Sequence, residues 1–279
     1  MKKTLNYLLI VTLLTAGLAV FFYPAASDFW NQMQQDKISV GYGKAVGGKT
    51  QEELEAERQK AQEYNKNLLK DEIIIDPFDQ VQDRKVKGDY AKCLDPEGNG
   101  VMGMIEIPKI NVYLPIYHGT SEDVLQKAIG HLEQTSLPVG GSGTHTVVSG
   151  HRGLPSAKLF TDLDRMEDGD VFYLHVLDET LAYEVDQITV VEPHNLEDLA
   201  IIKGEDHVTL VTCTPYSINS HRLLVRGTRI PYEEAQQEEA HQQKSIVGKT
   251  FDYLPYGVGI AAFLFILLLF LIRRRKKKK

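Results

Sequence analysis

A cysteine, an arginine and a histidine each stand at the end of a strand-like stretch of this chain. Residues 209–222 read TLVTCTPYSINSHR, with Cys213 at the end of one apolar run and Arg222 nine positions later. Residues 146–153 read TVVSGHRG and place His151 just after another such run. A thiol, an imidazole and a guanidinium delivered in this way predict nucleophilic acyl chemistry with a charged stabiliser.

The thiol needs a base, because free cysteine is mostly protonated at neutral pH and the thiolate is the nucleophile. The chain has nine histidines. Among them, His151 has small neighbours, Gly150 and Gly153, that leave its ring accessible, so we take it as the acid/base. Arg222 is the candidate donor to a developing oxyanion or to a substrate carbonyl.

These residues also have ordinary structural interpretations. The two cysteines allow one disulfide, Cys93 to Cys213, although two are too few for a disulfide framework. The ordinary interpretation of Arg222 is a surface arginine at a strand edge. His118 and His131 lie beside glycines, which favours surface or loop positions. No histidine pair has the spacing of a helical zinc site such as HExxH, so we expect no metal.

The two ends of the chain are apolar and basic. Residues 5–23 are almost wholly apolar and follow two lysines, and residues 254–272 precede the tail RRRKKKK at 273–279. About 20 apolar residues cross a bilayer as a helix, and positive charges stay in the cytoplasm. We expect an N-terminal anchor at 1–26, a transmembrane helix at 254–272, both termini in the cytoplasm and the rest outside. Cleavage as a signal peptide is the alternative, but Pro24-Ala25-Ala26 is a poor site.

The charge between the two basic ends argues against one class of partner. Residues 4–272 carry 22 Lys and Arg against 38 Asp and Glu, a net charge of −16. So acidic a surface argues against nucleic-acid binding and against docking on an anionic leaflet. The roughly 230 residues between the apolar runs are enough for one sizeable core.

The extracellular segment begins with polar, helix-prone sequence. Residues 27–72 contain a capping box, Thr50 with Glu53, and apolar residues at helical spacing. They predict a stalk helix with one apolar stripe, and the favoured interpretation is a helix packed on the main domain. Residues 73–99 open with the apolar run IIIDPF, whose proline sets a turn. Residues 233–253 are rich in Gln and Glu and predict a spacer before the second anchor.

Residues 100–232 are β-like. Short runs rich in Val, Ile, Leu, Thr and Tyr are separated by Gly, Pro, Asp or Asn, which predicts a barrel or a sandwich. Helical pieces are predicted at 121–128 and 157–163. The predicted strands span residues 104–107, 112–117, 146–149, 171–177, 181–191, 207–213 and 223–230.

The segments around the candidate residues resemble those of a known family. TLVTCTPY followed by INSHRLLVRG resembles the active-site signature of sortases, the cysteine transpeptidases of Gram-positive cell surfaces. SGHRG is similar to their catalytic-histidine segment. IPKINVYLPIYHGTS, GHLEQTSLPVGG, LFTDL and TLAYEVD resemble the pilin-polymerising class C, as do the C-terminal anchor and the triplet DPF. The resemblance covers roughly residues 30–272.

The resemblance implies a fold and residue roles. The fold would be mainly β: a closed eight-stranded sortase-type barrel with short helices, an N-terminal helical stalk and a lid, flanked by transmembrane helices. Cys213 would be the nucleophile, His151 the acid/base and Arg222 the stabiliser of substrate or oxyanion. Asp76 would approach Arg222 and Phe78 would cover Cys213, which closes the lid.

The same resemblance implies the substrates. A class C enzyme cleaves an LPxTG-like sorting signal of a pilin between Thr and Gly through a thioester. It passes the acyl group to a lysine of another pilin, so that a covalent pilus grows. No cofactor is required, because the thioester keeps the energy of the cleaved bond, and Cys93 would be a bystander thiol. The alternatives are a cell-wall-anchoring sortase that uses a peptidoglycan amine and a non-catalytic surface scaffold with bridged cysteines.

Overall fold

The computed structural model describes residues 2–68, 74–78 and 88–236. The described residues up to Ala235 belong to one compact unit, which contains the barrel. In the part of the chain so described, no helix is long and apolar enough to cross a membrane. The predicted span at 254–272, the basic tail and most of the spacer lie outside the described residues.

Within residues 2–68 the chain forms two helices. α1, Lys2–Gly47, contains Pro24 and holds the predicted anchor and the first part of the predicted stalk. α2, Gln51–Asn67, begins at the predicted capping box. The Thr50 hydroxyl accepts from the Glu53 amide, and the Glu53 carboxylate accepts from the Thr50 amide. This exchange satisfies backbone donors that the first turn of a helix leaves free.

Both helices pack against the barrel. Tyr42 of α1 and Leu54 and Ala61 of α2 are buried in the main core. The Tyr42 hydroxyl donates to the Met102 carbonyl at 3.1 Å and accepts from the Leu177 amide at 2.8 Å. Of the two interpretations of this region, the structure shows the packed helix.

Eight β-strands of the described residues span Val101–Ile107 (β1), Val112–His118 (β2), Ile129–His131 (β3), Thr144–Ser149 (β4), Val171–Val176 (β5), Glu179–Val191 (β6), Asp206–Thr214 (β7) and His221–Ile230 (β8). They close in the order β1-β2-β3-β4-β7-β8-β6-β5. The pairs β2–β3 and β4–β7 are parallel, and the other neighbours are antiparallel. The predicted closed barrel is confirmed, and closure leaves no unpaired sheet edge.

Alternate residues of β4, β7 and β8 face two different apolar layers. Val148 and Leu210 lie in the main core inside the barrel. Their neighbours Val147 and Val211, with Leu224 of β8, belong to a second buried cluster. Because side chains alternate along a strand, this second cluster lies on the outer face of the barrel wall. We call it the outer apolar layer; Leu132, Leu196 and Leu199 complete it.

The sequence pattern predicts seven of the eight strands and misses only β3, which has three residues. The helix predicted at 121–128 is present but shorter, as α3, Glu122–Leu125. The surface positions predicted for His118 and His131 are wrong: these residues end β2 and β3 and are 6% and 0% exposed. Their ring nitrogens bond mainly to backbone carbonyls, which is why burial is tolerated.

The helix predicted at 157–163 is also wrong. Leu159 has a left-handed backbone, with φ 39°, which interrupts any helix there. The Lys158 amide donates to the Asp28 carboxylate and the Phe160 amide to the His151 carbonyl. Because these backbone amides donate to acceptors in other segments, only a 3₁₀ turn forms, at Leu163–Arg165.

Candidate active site

The three candidate residues meet at one end of β4, β7 and β8. Cys213 of β7 and Arg222 of β8 are direct cross-strand partners. β4 runs parallel to β7, with Ser149 paired with Val211. His151 follows Ser149 by two residues, as Cys213 follows Val211, so the histidine reaches the level of the cysteine.

Backbone contacts hold the His151 segment against β7 beyond the end of β4. The Gly150 amide donates to the Val211 carbonyl at 3.1 Å, and the Thr212 hydroxyl donates to the Gly150 carbonyl at 2.7 Å. A Cβ on Gly150 would lie 2.6 Å from the Ile129 side chain, closer than packing allows. The glycine that precedes His151 therefore leaves room for the side chains of Ile129 and Phe160.

The site lies on the outer face of the barrel wall. Cys213 follows Val211 by two positions and Arg222 precedes Leu224 by two, and both apolar residues belong to the outer apolar layer. Residues two apart on a strand share a face. The chemistry therefore belongs to an external strip of wall rather than to the barrel interior.

Asp76 closes one side of this strip by pairing with Arg222. Arg222 Nε donates to Asp76 Oδ1 at 2.8 Å and Nη2 donates to Oδ2 at 2.5 Å. The side chains are 8% and 13% exposed, so Arg222 is not the surface arginine of the alternative interpretation. Nη1 donates to the carbonyls of Asn219 and His221. Bidentate pairing of carboxylate with guanidinium is among the stronger polar contacts in proteins.

Phe78 lies between the histidine and the arginine. Its ring centroid is 5.4 Å from that of His151 and 5.2 Å from the guanidinium carbon of Arg222. Phe78 and Ile74 also pack against the outer apolar layer. Cys213 is 7% exposed. The structure thus brings the predicted lid residues to the predicted catalytic residues.

Burial shifts the protonation equilibria of the site. Burial raises the pKa of the Cys213 thiol, while the Arg222 charge lowers it and the Asp76 charge raises it. Burial lowers the pKa of His151, against a smaller effect of Glu122. Burial alone would lower the pKa of Arg222, but hydrogen bonding to Asp76 raises it. With residues 74–78 in place, the site therefore favours a neutral thiol and a neutral imidazole beside a cation.

Unpaired polar atoms concentrate in the histidine segment. Of the five buried side-chain N or O atoms without a hydrogen-bond partner in the described ranges, three are Ser149 Oγ, His151 Nε2 and Arg152 Nε. Native proteins hold few such atoms, and each asks for an explanation. A ring nitrogen without a partner, such as His151 Nε2, is free to exchange a proton.

Arg152 is a site residue that the sequence pattern does not single out. Its Nη1 donates to Thr214 Oγ1 at 3.2 Å, and its Nη2 pairs with the Asp164 carboxylate. Its guanidinium carbon lies 5.8 Å from the Tyr216 ring. These contacts join the His151 segment to the end of β7. Adjacency to His151 was the only signal in the sequence.

The two cysteines are both free, so the disulfide between Cys93 and Cys213 is not formed. Cys93 is buried, and its Sγ donates to the Asp89 carbonyl at 3.3 Å. Across the described part of the chain, no group of three or more His, Cys, Asp or Glu side chains is placed to hold a metal ion.

Known proteins are similar to this chain in sequence and in fold. Residues 105–230 match the sequence profile of the sortase domain. Sortase D of Bacillus subtilis (strain 168) is 30% identical over 138 residues, which are 48% of this chain and 67% of that protein. A sortase C structure from Streptococcus pneumoniae is 51% identical, with a TM-score of 0.64, and covers 70% of this chain and 97% of its own. A pilus-related sortase C of group B Streptococcus is 44% identical, with a TM-score of 0.65, over 70% and 98%.

Proposed function

The chain belongs to the sortase family of cysteine transpeptidases, and we propose that it acts as a class C enzyme that polymerises pilins. The donor is an LPxTG-like sorting signal on one pilin, and the acceptor is a lysine side chain of another. Supporting this choice, one solved relative is described as pilus-related and another in terms of pilin substrate specificity.

One observation carries the proposal: Cys213 and Arg222 face each other across β7 and β8, with His151 level with them just beyond the end of β4. A thiol, a proton-exchanging ring and a fixed cation on one strip of wall are the groups that acyl transfer needs. We assign Cys213 as nucleophile, His151 as general acid/base and Arg222 as the donor to the substrate carbonyl or oxyanion.

In the first half-reaction, the Cys213 sulfur attacks the carbonyl carbon of the threonine in the sorting signal. A C–S bond forms, the Thr–Gly C–N bond breaks, and His151 carries the thiol proton to the departing glycine amine. The product is a thioester, which keeps enough energy for the second step without a nucleotide or cofactor.

In the second half-reaction, a neutral pilin lysine attacks the thioester carbon. An isopeptide C–N bond forms, the C–S bond breaks, and a proton from the amine returns through His151 to the sulfur. The same chemistry would accept a peptidoglycan amine, so the identity of the acceptor decides between a polymerising and an anchoring sortase.

We assign residues 74–78 as part of a lid that must leave before a substrate enters. Asp76 occupies Nε and Nη2 of Arg222, and Phe78 lies beside the ring of His151. Departure of Asp76 removes a charge that raises the pKa of the Cys213 thiol and leaves the Arg222 charge that lowers it. Opening therefore exposes the nucleophile and also favours its thiolate.

We also propose that the enzyme is anchored in the cell membrane with its catalytic barrel, residues 100–232, outside the cell. The support is in the sequence: two apolar runs, at 5–23 and 254–272, each adjoin a cluster of basic residues. A membrane enzyme of this kind would meet pilins at the surface where they are exported.

The test uses the full chain in detergent with the lid opened by Asp76→Ala and Phe78→Ala. The enzyme is incubated with a pilin that carries LPxTG and an acceptor lysine, and the products are followed by mass spectrometry. We expect an acyl adduct on Cys213 that passes to a pilin lysine. Cys213→Ala should abolish both products, and the matched control Cys93→Ala should retain both.

Two other outcomes are informative. A thioester released only to water or small amines supports a sortase with a different acceptor and refutes pilin polymerisation. The absence of any adduct on Cys213, with the lid opened and the barrel folded, refutes the transpeptidase assignment of this site.

A further inference from the structure

Ser149 holds a buried hydroxyl group that the mechanism above does not use. The residue ends β4 and is 0% exposed, and its Oγ has no hydrogen-bond partner among the described residues. Other buried hydroxyls nearby are paired: Thr212 donates to the Gly150 carbonyl and Thr146 to the Ser136 carbonyl. An unpaired buried hydroxyl destabilises the folded chain, so its presence here asks for a reason.

Ser149 lies on the same outer strip of the barrel wall as Cys213 and Arg222. It follows Val147 of the outer apolar layer by two residues, so its side chain is on the same outer face as Cys213. Its cross-strand partner is Val211, two residues before Cys213. Ser149 therefore lies two residues along the strands, about 6.6 Å, from the level of Cys213 and Arg222.

Lid residues pack on the outer apolar layer next to Ser149 in this structure. Ile74 and Phe78 pack on the outer apolar layer, to which Val211 belongs. Val211 is the cross-strand partner of Ser149, so the lid residues lie on the same layer as this unpaired hydroxyl. A peptide backbone in the place of the lid would bring carbonyl groups to the same strip.

We propose that Ser149 binds the main chain of the sorting signal, donating its hydroxyl hydrogen to a carbonyl two residues from the scissile carbonyl. An extended peptide advances about 3.3 Å per residue, so two residues match that distance along the strands. This inference rests on the proposed function, because it requires an acyl peptide on the strip. Ser149 then tightens binding of the donor, whatever the side chain at that position.

The experiment measures the kinetics and thermal stability of Ser149→Ala in the full chain, with Asp76→Ala as the parent to open the site. We expect KM for an LPxTG peptide to rise about two- to tenfold with kcat unchanged, because one neutral hydrogen bond to the substrate is lost. The thermal midpoint should stay the same or rise, because alanine removes an unpaired buried hydroxyl. Ser149→Thr, which keeps the hydroxyl, should keep a parental KM.

Ser136→Ala is the matched control. Ser136 is also 0% exposed, but its hydroxyl accepts from the His145 amide at 3.1 Å. Its loss should lower the thermal midpoint and leave KM unchanged. The two serine variants should thus show opposite patterns. Ser149→Ala should raise KM without lowering the thermal midpoint, and Ser136→Ala should lower the midpoint without changing KM.

The outcomes separate this inference from the proposed function. If the parent cleaves the peptide and Ser149→Ala leaves KM unchanged, or lowers the midpoint as Ser136→Ala does, the substrate role of Ser149 is overturned. If the parent does not cleave the peptide at all, the proposed function fails before any serine is changed, and the inference falls with it.

Discussion

The ion pair between Asp76 and Arg222 should determine the fraction of molecules in which the site is open. Its two hydrogen bonds, at 2.8 and 2.5 Å, join side chains that are 13% and 8% exposed. Hydrogen bonds to charged groups contribute about 1.5–3 kcal/mol, and Arg222 keeps its two carbonyl partners when Asp76 is lost. We therefore expect Asp76→Ala to destabilise the closed state by about 2–3 kcal/mol, which raises the open population about 30- to 150-fold.

The assay is alkylation of Cys213 in the full chain, followed residue by residue with mass spectrometry. A thiol that is 7% exposed reacts mainly from the open state, so its rate follows the open population. Cys93, which is 5% exposed, reports on unfolding of the whole chain in the same sample. We expect Asp76→Ala to speed labelling of Cys213 by the factor above and to leave Cys93 unchanged. Asp76→Asn keeps the side-chain shape without the charge. Its Cys213 labelling rate should lie between those of the unaltered protein and of Asp76→Ala.

Part of the increase will come from a lower pKa of the thiol, because Asp76 raises it in the closed state. The pH profile of the labelling rate separates this contribution from opening. Equal acceleration at both cysteines would mean that the barrel itself is destabilised. An unchanged rate at Cys213 would refute the argument that this ion pair holds residues 74–78 in place.

Three more results are expected from the same contacts. Phe78→Ala should also speed labelling of Cys213, since it removes a ring that packs on the outer apolar layer and on the guanidinium; a parental rate would contradict this. In the intact protein, the labelling rate of Cys213 should continue to rise above the ordinary thiol pKa of about 8.5, because burial raises the pKa; a plateau below that pH would contradict it. Acid should destabilise the fold, because burial lowers the pKa of His131 to about 3 and of His145 to about 4. Each contribution is complete above pH about 6.5, the pKa in the unfolded chain, and falls by about 1.4 kcal/mol per pH unit until the folded pKa is reached. Urea unfolding between pH 7 and 5 measures this slope, which His145→Gln should reduce; an unchanged slope would show that His145 is not its source.

Local patterns along the chain predicted most of the elements. Seven strands follow from short β-branched and aromatic runs between turn residues, and the start of α2 follows from the capping box at Thr50 and Glu53. These signals involve neighbours within a few positions, which a single sequence displays directly. The candidate residues Cys213, His151 and Arg222 were found in the same way, from residue types at the ends of apolar runs and from motifs that resemble a family.

Predictions from the sequence pattern were wrong where contacts with distant segments decide the local structure. The chain around Leu159 is not a helix because its amides bond to α1 and to the His151 carbonyl. β3 is too short to show a period and exists because β2 and β4 pair with it on both sides. His131, beside a glycine, is buried because the fold supplies partners for both ring nitrogens.

The sequence by itself determined which chemical groups this protein carries, because nucleophile, base and cation are properties of residue types. Only the tertiary structure decided which of them meet. Asp76 and Arg222 are 146 positions apart, and no local rule relates them. The parallel register of β4 and β7 sets His151 level with Cys213, and burial by segments distant in the chain shifts the pKa values of both. Contact, burial and protonation depend on the position of groups in space, so they follow from the closed barrel and the segment laid over it.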